Sequence, residues 1–199
     1  MVFGIGGNKR MGYSYTPNER IVDRAVEIWK GLLREPKFDN GDKSFTGFMG
    51  QTFAGMVNDK TNNSTDEILD KFGVELKVLL MSEVTLEELQ GKPPAEKPSP
   101  YYHNSLGVDY GPDWILSAAA QRAGLTTQFP WKTNMSISEN YVCLGSGYEA
   151  PWVYHYPLKD GRWLLAKLSG EDVAKVIEYV EGGSPVFEIE ETVVEEPVQ

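Results

Sequence analysis

The chain has 199 residues, 41% of them hydrophobic and 24% charged, an ordinary globular balance that excludes a wholly disordered or fibrous architecture. Its formal charge of −10 repels phosphate backbones and counts against nucleic acid as a partner. A single cysteine, Cys143, excludes an intrachain disulfide and leads to the expectation of a reducing, cytoplasmic location.

Residues 1–15 are glycine-rich and without apolar periodicity, which reads as an irregular arm. Lys9-Arg10 follows a short apolar run rather than preceding one, the reverse of a signal peptide. No window approaches the roughly 18 apolar residues of a membrane span, so no membrane partner is expected.

Thr16-Pro17-Asn18-Glu19 reads as a capping box with proline at the first helical position, and Ile21, Ala25, Ile28, Trp29, Leu32 and Leu33 recur at helical spacing. A helix over 17–34 follows. After the turn residues Asp39-Asn40-Gly41-Asp42, the residues Phe45, Phe48, Met49, Phe53, Met56 and Val57 fit a second helical face, interrupted by Gly47, Gly50 and Gly55 and ended by Asn62-Asn63. Ser64-Thr65-Asp66-Glu67 opens a third segment. Its pattern mixes strand alternation at 74–78 with a helical stripe through Phe72, Leu76, Leu79 and Leu80, and the spacing favours one helix to about Met81. A short helical turn is expected from Thr85 to Leu89.

Residues 92–100 hold four prolines and read as an extended connector between a mainly helical region, 1–91, and an α+β region, 101–190. In the latter, Pro112 to Ala123 reads as a helix closed by Gly124 in the left-handed conformation. Strands are expected at about 140–145, 152–157 and 162–168, the last two joined in an antiparallel hairpin through Asp160-Gly161. A helix opening at Ser169, an edge strand near 186–189 and a solvated acidic tail, 191–199, complete the chain. The fold class is therefore α+β: a helical N-terminal half, then a small antiparallel sheet with flanking helices.

Two sets of residues carry candidate chemistry. Cys143 and His155 lie on consecutive expected strands; as cross-strand neighbours, the imidazole would draw the thiol proton, with Gly145-Ser146-Gly147 amides as oxyanion donors. That reading depends on register, because a one-residue slip puts the two groups on opposite faces, and a cysteine between Val142 and Leu144 is also a plain core residue. The second set is the aromatic belt after the connector, in which Tyr148, Trp152 and Tyr156 are the candidates for ligand contact; its simpler reading is a sheet core. Gly4-Ile5-Gly6-Gly7 lacks the ending of a phosphate loop. His103 follows the connector without a motif, and Glu171 and Asp172 suffice as helix-dipole partners. Two histidines and one cysteine do not suggest a metal site, and no cofactor is expected.

The function expected from these features is a non-enzymatic binding or assembly protein that uses an aromatic-rich C-terminal surface to contact a protein or small-molecule ligand. The alternative is a Cys-His thiol hydrolase, deamidase or transferase. Self-association is left open, as is a place in a larger assembly that orders the N-terminal arm and the acidic tail.

Overall fold

The computed structural model describes residues 18–38, 43–82, 89–92, 105–146, 152–168 and 192–194. They form four helices and an antiparallel sheet, an α+β fold with the helices concentrated in the N-terminal half. The helices are α1 (Glu19–Arg34), α2 (Phe45–Thr61), α3 (Asp66–Met81) and α4 (Trp114–Ala123). The strands are β1 (Ser105–Val108), β2 (Thr133–Ile137), β3 (Val142–Ser146), β4 (Trp152–Pro157), β5 (Trp163–Leu168) and β6 (Thr192–Val194), hydrogen-bonded in chain order β1-β2-β3-β4-β5-β6.

Each helix starts on a side-chain cap. Asn18 caps α1 by accepting from the Arg20 amide, and Thr65, one residue later than expected, caps α3 by accepting from Ile68. Thr16 and Pro17 lie outside the described residues. The mixed pattern at 74–78 is helical, because α3 buries Leu69, Phe72, Leu76, Leu79 and Leu80 along one stripe. α1 and α3 run antiparallel, with Lys30 on Asp70 at 2.8 Å, Arg34 on Asp66 at 2.6 Å, and Lys77 on Glu19 and Asp23 at 2.9 and 2.6 Å. These pairs are mostly exposed and set the register more than they stabilise it. Gly73 brings the two helices close: a Cβ there would stand 3.0 Å from Val26 Cγ1 and 3.1 Å from Lys30 Cδ.

One apolar cluster joins the two halves of the chain. It contains Ile21, Val22, Ala25, Trp29 and Leu33 of α1, the α3 stripe, Ile115, Leu116 and Ala119 of α4, and Leu106, Val108, Met135, Ile137, Val142 and Trp163 of the sheet. Phe129, in the segment after α4, stands between Trp29 and Phe72, with ring centroids 6.2 Å from each.

β1 and β2 are strands that the sequence reading leaves in loops. β1 is four residues long and includes a glycine. β2, Thr-Asn-Met-Ser-Ile, alternates buried and exposed residues, but only Met135 and Ile137 are apolar, too few to stand out as a pattern. The β4–β5 hairpin forms as expected, with Pro157 opposite Trp163 and Gly161 at φ +94° in the turn. Thr192–Val194 pairs with β5 as the edge strand, so part of the expected acidic tail is strand. The helix from Ser169 and the strand near 186–189 lie outside the described residues, as do His103 and most of 85–89.

Asp113 ties α4 to the sheet. One carboxylate oxygen accepts from Leu116 N at 2.9 Å as the helix cap, the other from Gly107 N of β1 at 2.7 Å. Burial raises its pKa from the ordinary value against the pull of those amides, so the bonds are made in a desolvated place. Asp113→Ala removes the cap and strands the Gly107 amide; chemical denaturation should show a loss of about 2–4 kcal/mol, whereas an unchanged midpoint would mean that α4 needs no tie.

Candidate functional site

The register of β3 and β4 decides the fate of the Cys-His pair. Val142 is opposite His155, and Cys143 is opposite Tyr154. Neighbouring residues of a strand point to opposite faces, so Cys143 and His155 stand on different sides of the sheet. The structure does not bring together the dyad that the sequence suggested. The proposed oxyanion donors are not a loop nest either: Gly145 and Ser146 belong to β3, opposite Asn134 and Thr133 of β2, and Gly147 lies outside the described residues.

His155 faces the helices and is only 6% exposed. Its Nδ1 accepts from Arg24 Nε at 3.2 Å, which places the ring proton on Nε2. Desolvation, and then the positive charge of Arg24, press its pKa down from 6.5 to about 4. The imidazole is therefore neutral over the physiological range. Arg24 and Arg20 also lie over the Trp163 ring, 5.3 and 5.0 Å from its centroid. Arg20 further donates to the turn carbonyls of Leu158, Gly161 and Arg162 at 3.1, 2.6 and 3.2 Å. Two arginines one helical turn apart thus bind α1 to the β4–β5 hairpin, and His155 is part of that seam.

Cys143 is on the opposite face with Tyr154, Tyr156, Leu164 and Ala166, and is 4% exposed. Burial pushes its thiol pKa up, against a hydrogen bond from Tyr154 that acts in the other direction. Tyr141, Tyr154 and Tyr156 pack around it with centroids 5.4 to 6.0 Å apart, and burial drives the phenols of Tyr154 and Tyr156 well above their ordinary range. Of the proposed ligand contacts, Tyr156 is 1% exposed and is core, not surface. Trp152 is half-buried, its ring laid over Gly145, where a Cβ would come within 2.7 Å of it. Tyr148 lies outside the described residues. An aromatic on a strand is buried or presented according to its face, which composition does not reveal.

Among the described residues the exposed aromatics are Tyr110 (63%) and Trp114 (48%), between β1 and the start of α4, and a group on α2. On α2, Phe45, Phe48 and Phe53 are 79%, 62% and 69% exposed, and Met49 and Met56 about half exposed. The side of α2 that is buried carries Gly47, Ala54 and Asn58. Asn58 Oδ1 accepts from Thr127 Oγ1 and Gln128 N, both at 2.9 Å, Thr126 Oγ1 donates to Thr61 O at 2.6 Å, and Asn63 Nδ2 donates to Gly124 O at 2.8 Å. Polar bonds at its C-terminal end hold the helix, leaving its large apolar residues in solvent. Periodicity identified these residues as one helical face; it carried no information on which way the face turns.

A second feature absent from the sequence reading is Lys132, in the left-handed region at φ 55°. Its ammonium pairs with Asp109 and lies 4.2 Å from the Tyr110 centroid, while its amide donates to Asp109 O at 3.1 Å. These contacts pin the start of β2 to the end of β1. Among the described residues no helix is long and apolar enough to cross a membrane, and no group of three or more His, Cys, Asp or Glu is placed to hold a metal ion.

Two measurements check this geometry. Because the folded state disfavours the protonated imidazole, unfolding takes up a proton between pH 6.5 and about 4. Stability is full above that window and falls through it with acid, by roughly 3 kcal/mol in all. In His155→Asn the acid limb should vanish; a limb of unchanged size would assign it to other groups. Alkylation of Cys143 in the native protein should be slow and show no low-pH reactive limb, in the wild type and in His155→Asn alike, and such a limb would restore the activated thiol. Comparison with known proteins returns no match: no family model fits the sequence, and no curated protein and no solved structure matches it.

Proposed function

We propose that this chain is a non-enzymatic binding or assembly protein, working in the cytoplasm, whose docking element is α2. The observation that carries this reading is the inverted amphipathicity of that helix. Its small and polar residues pack inward while three phenylalanines and two methionines face water. Exposed apolar side chains in a continuous stripe are costly in a free protein and are the usual mark of a surface that another molecule covers. Phenylalanine and methionine suit the task, one supplying large rigid contact area and the other a side chain that adapts to an irregular partner.

The recognition surface is thereby assigned to the helical half rather than to the aromatic-rich C-terminal half. In the latter, the described tyrosines of β4 are packed against Cys143 and its neighbours, and the exposed aromatics are two, Trp114 and Tyr110, the second held against Trp131 and Lys132. The thiol-enzyme alternative loses its proposed base, since His155 is on the other face of the sheet and burial raises the thiol pKa. Over Phe45–Asn58 the helix bears no charged side chain, so the partner is expected to offer apolar surface and not a phosphate or a carboxylate.

A photo-crosslinking residue in place of Phe48 tests the reading against the same residue in place of Lys71, on the exposed side of α3. The expected result is an adduct of discrete mass from position 48 and none from position 71. Equal labelling from both positions, or none from either, would remove α2 as a docking element.

A further inference from the structure

We infer that the occupant of the α2 face is α2 of a second copy of this chain, packed antiparallel about a two-fold axis that passes between Gly50 and Gln51. The inference rests on the reading of α2 as a docking element and goes on to name its partner.

The stripe is self-complementary. Phe45, Met49, Thr52 and Met56 follow one line along the helix at spacings of four, three and four, and Phe48 and Phe53 flank that line on its two sides. A two-fold axis between Gly50 and Gln51 sets Phe45 opposite Met56 of the second copy and Met49 opposite Thr52 of the second copy. It brings Phe48 level with Phe53 of the second copy, on opposite edges of the contact. Each level along the axis thus receives two large side chains or a large and a small one. Contacts between the same patch on both partners are what an isologous interface requires. The Phe45–Met56 contacts are aromatic–thioether pairs, which are favourable beyond the area that they bury.

The polar groups are compatible with burial. Thr52 Oγ1 already donates to Phe48 O at 2.9 Å, so placing it at the centre leaves no stranded donor. The charges lie at the ends: Lys43 precedes the helix, and Asp59 and Lys60 close the stripe. In the antiparallel arrangement Lys43 of each copy falls near both Asp59 and Lys60 of the other, so the charges at the ends do not set the pairing, and the helix dipoles oppose one another.

The size also fits. The five apolar side chains expose on the order of 600 Å², against about 800 Å² per partner in a standard specific interface. Such an interface supports a reversible dimer. An anionic lipid surface would have Lys43 and Lys60, at the two ends of the stripe, to meet the headgroups, and no lysine or arginine between them.

Sedimentation velocity on the full chain over a concentration series should show a reversible monomer–dimer equilibrium. In Phe48→Glu/Phe53→Glu the dissociation constant should rise by roughly 100-fold or more; both residues are exposed, and an unchanged circular dichroism melt would show that the fold is intact. For the orientation, Phe45→Cys and Met56→Cys chains are oxidised separately and mixed. The native Cys143 is buried and serves as the background. The expected result is a disulfide-linked dimer in the mixture and little in either chain alone. A strict monomer, a dimer indifferent to the double substitution, or cross-linking of Phe45→Cys with itself would each overturn the proposal. A strict monomer that still yields a discrete adduct at position 48 would leave α2 as a docking element for a different protein, so the two readings fail separately.

Discussion

Every side chain on the sheet is assigned by the alternation of an antiparallel ladder, and most of what can be said about this protein follows from that constraint. Once Val142 is opposite His155, one face of β3 and β4 carries Val142, Leu144 and His155 toward the helices, and the other carries Cys143, Tyr154 and Tyr156. A shift of a single residue would turn both sets over, exposing the wrong face to the helices, so the burial of the two faces holds the register. The separation of thiol and imidazole is a direct result, as is the conversion of each from a candidate catalytic group into a packed one.

The helix-facing side shows how a polar cluster can join two layers. Arg20 and Arg24 reach from α1 to carbonyls, an indole ring and a neutral imidazole, and none of these contacts needs a carboxylate. Guanidinium groups satisfy such mixed acceptors because their donors lie in a rigid fork and their planar face stacks on rings. A neutral His155 fits beside Arg24 only while unprotonated, since a second positive charge in the seam would be repelled and desolvated together. The seam links the fold to pH through a residue that the sequence suggested as a base.

The α2 helix departs from the logic of the remaining elements. α1, α3 and α4 turn their apolar stripes into the common cluster, while α2 turns its glycines, an alanine and an asparagine inward and its phenylalanines outward. The polar bonds of Asn58, Thr61 and Asn63 orient it, because a buried asparagine side chain with two donors to accept from is hard to rotate into water without loss. A helix seated by hydrogen bonds at one end leaves its apolar side available for another surface, and a near-symmetric stripe is suited to a copy of itself.

The sequence by itself determined the elements whose signals are local. The stripes of α1 and α3, the Gly124 exit of α4 and the Asp160-Gly161 turn all depend on spacings within a few residues, and all are found in the structure, whereas α4 starts at Trp114 on an Asp113 cap, two residues after the expected proline entry. The two short strands β1 and β2 left little such signal, since one contains a glycine and the other alternates threonine, asparagine and serine with only two apolar residues. Tertiary structure alone decided which face each residue occupies. Whether Cys143 meets His155, whether Tyr156 is surface or core, and whether the phenylalanines of α2 are buried depend on strand register and on what lies across from each element. These are relations between distant parts of the chain, and periodicity, which is unchanged when a whole element is rotated or slipped, contains no record of them.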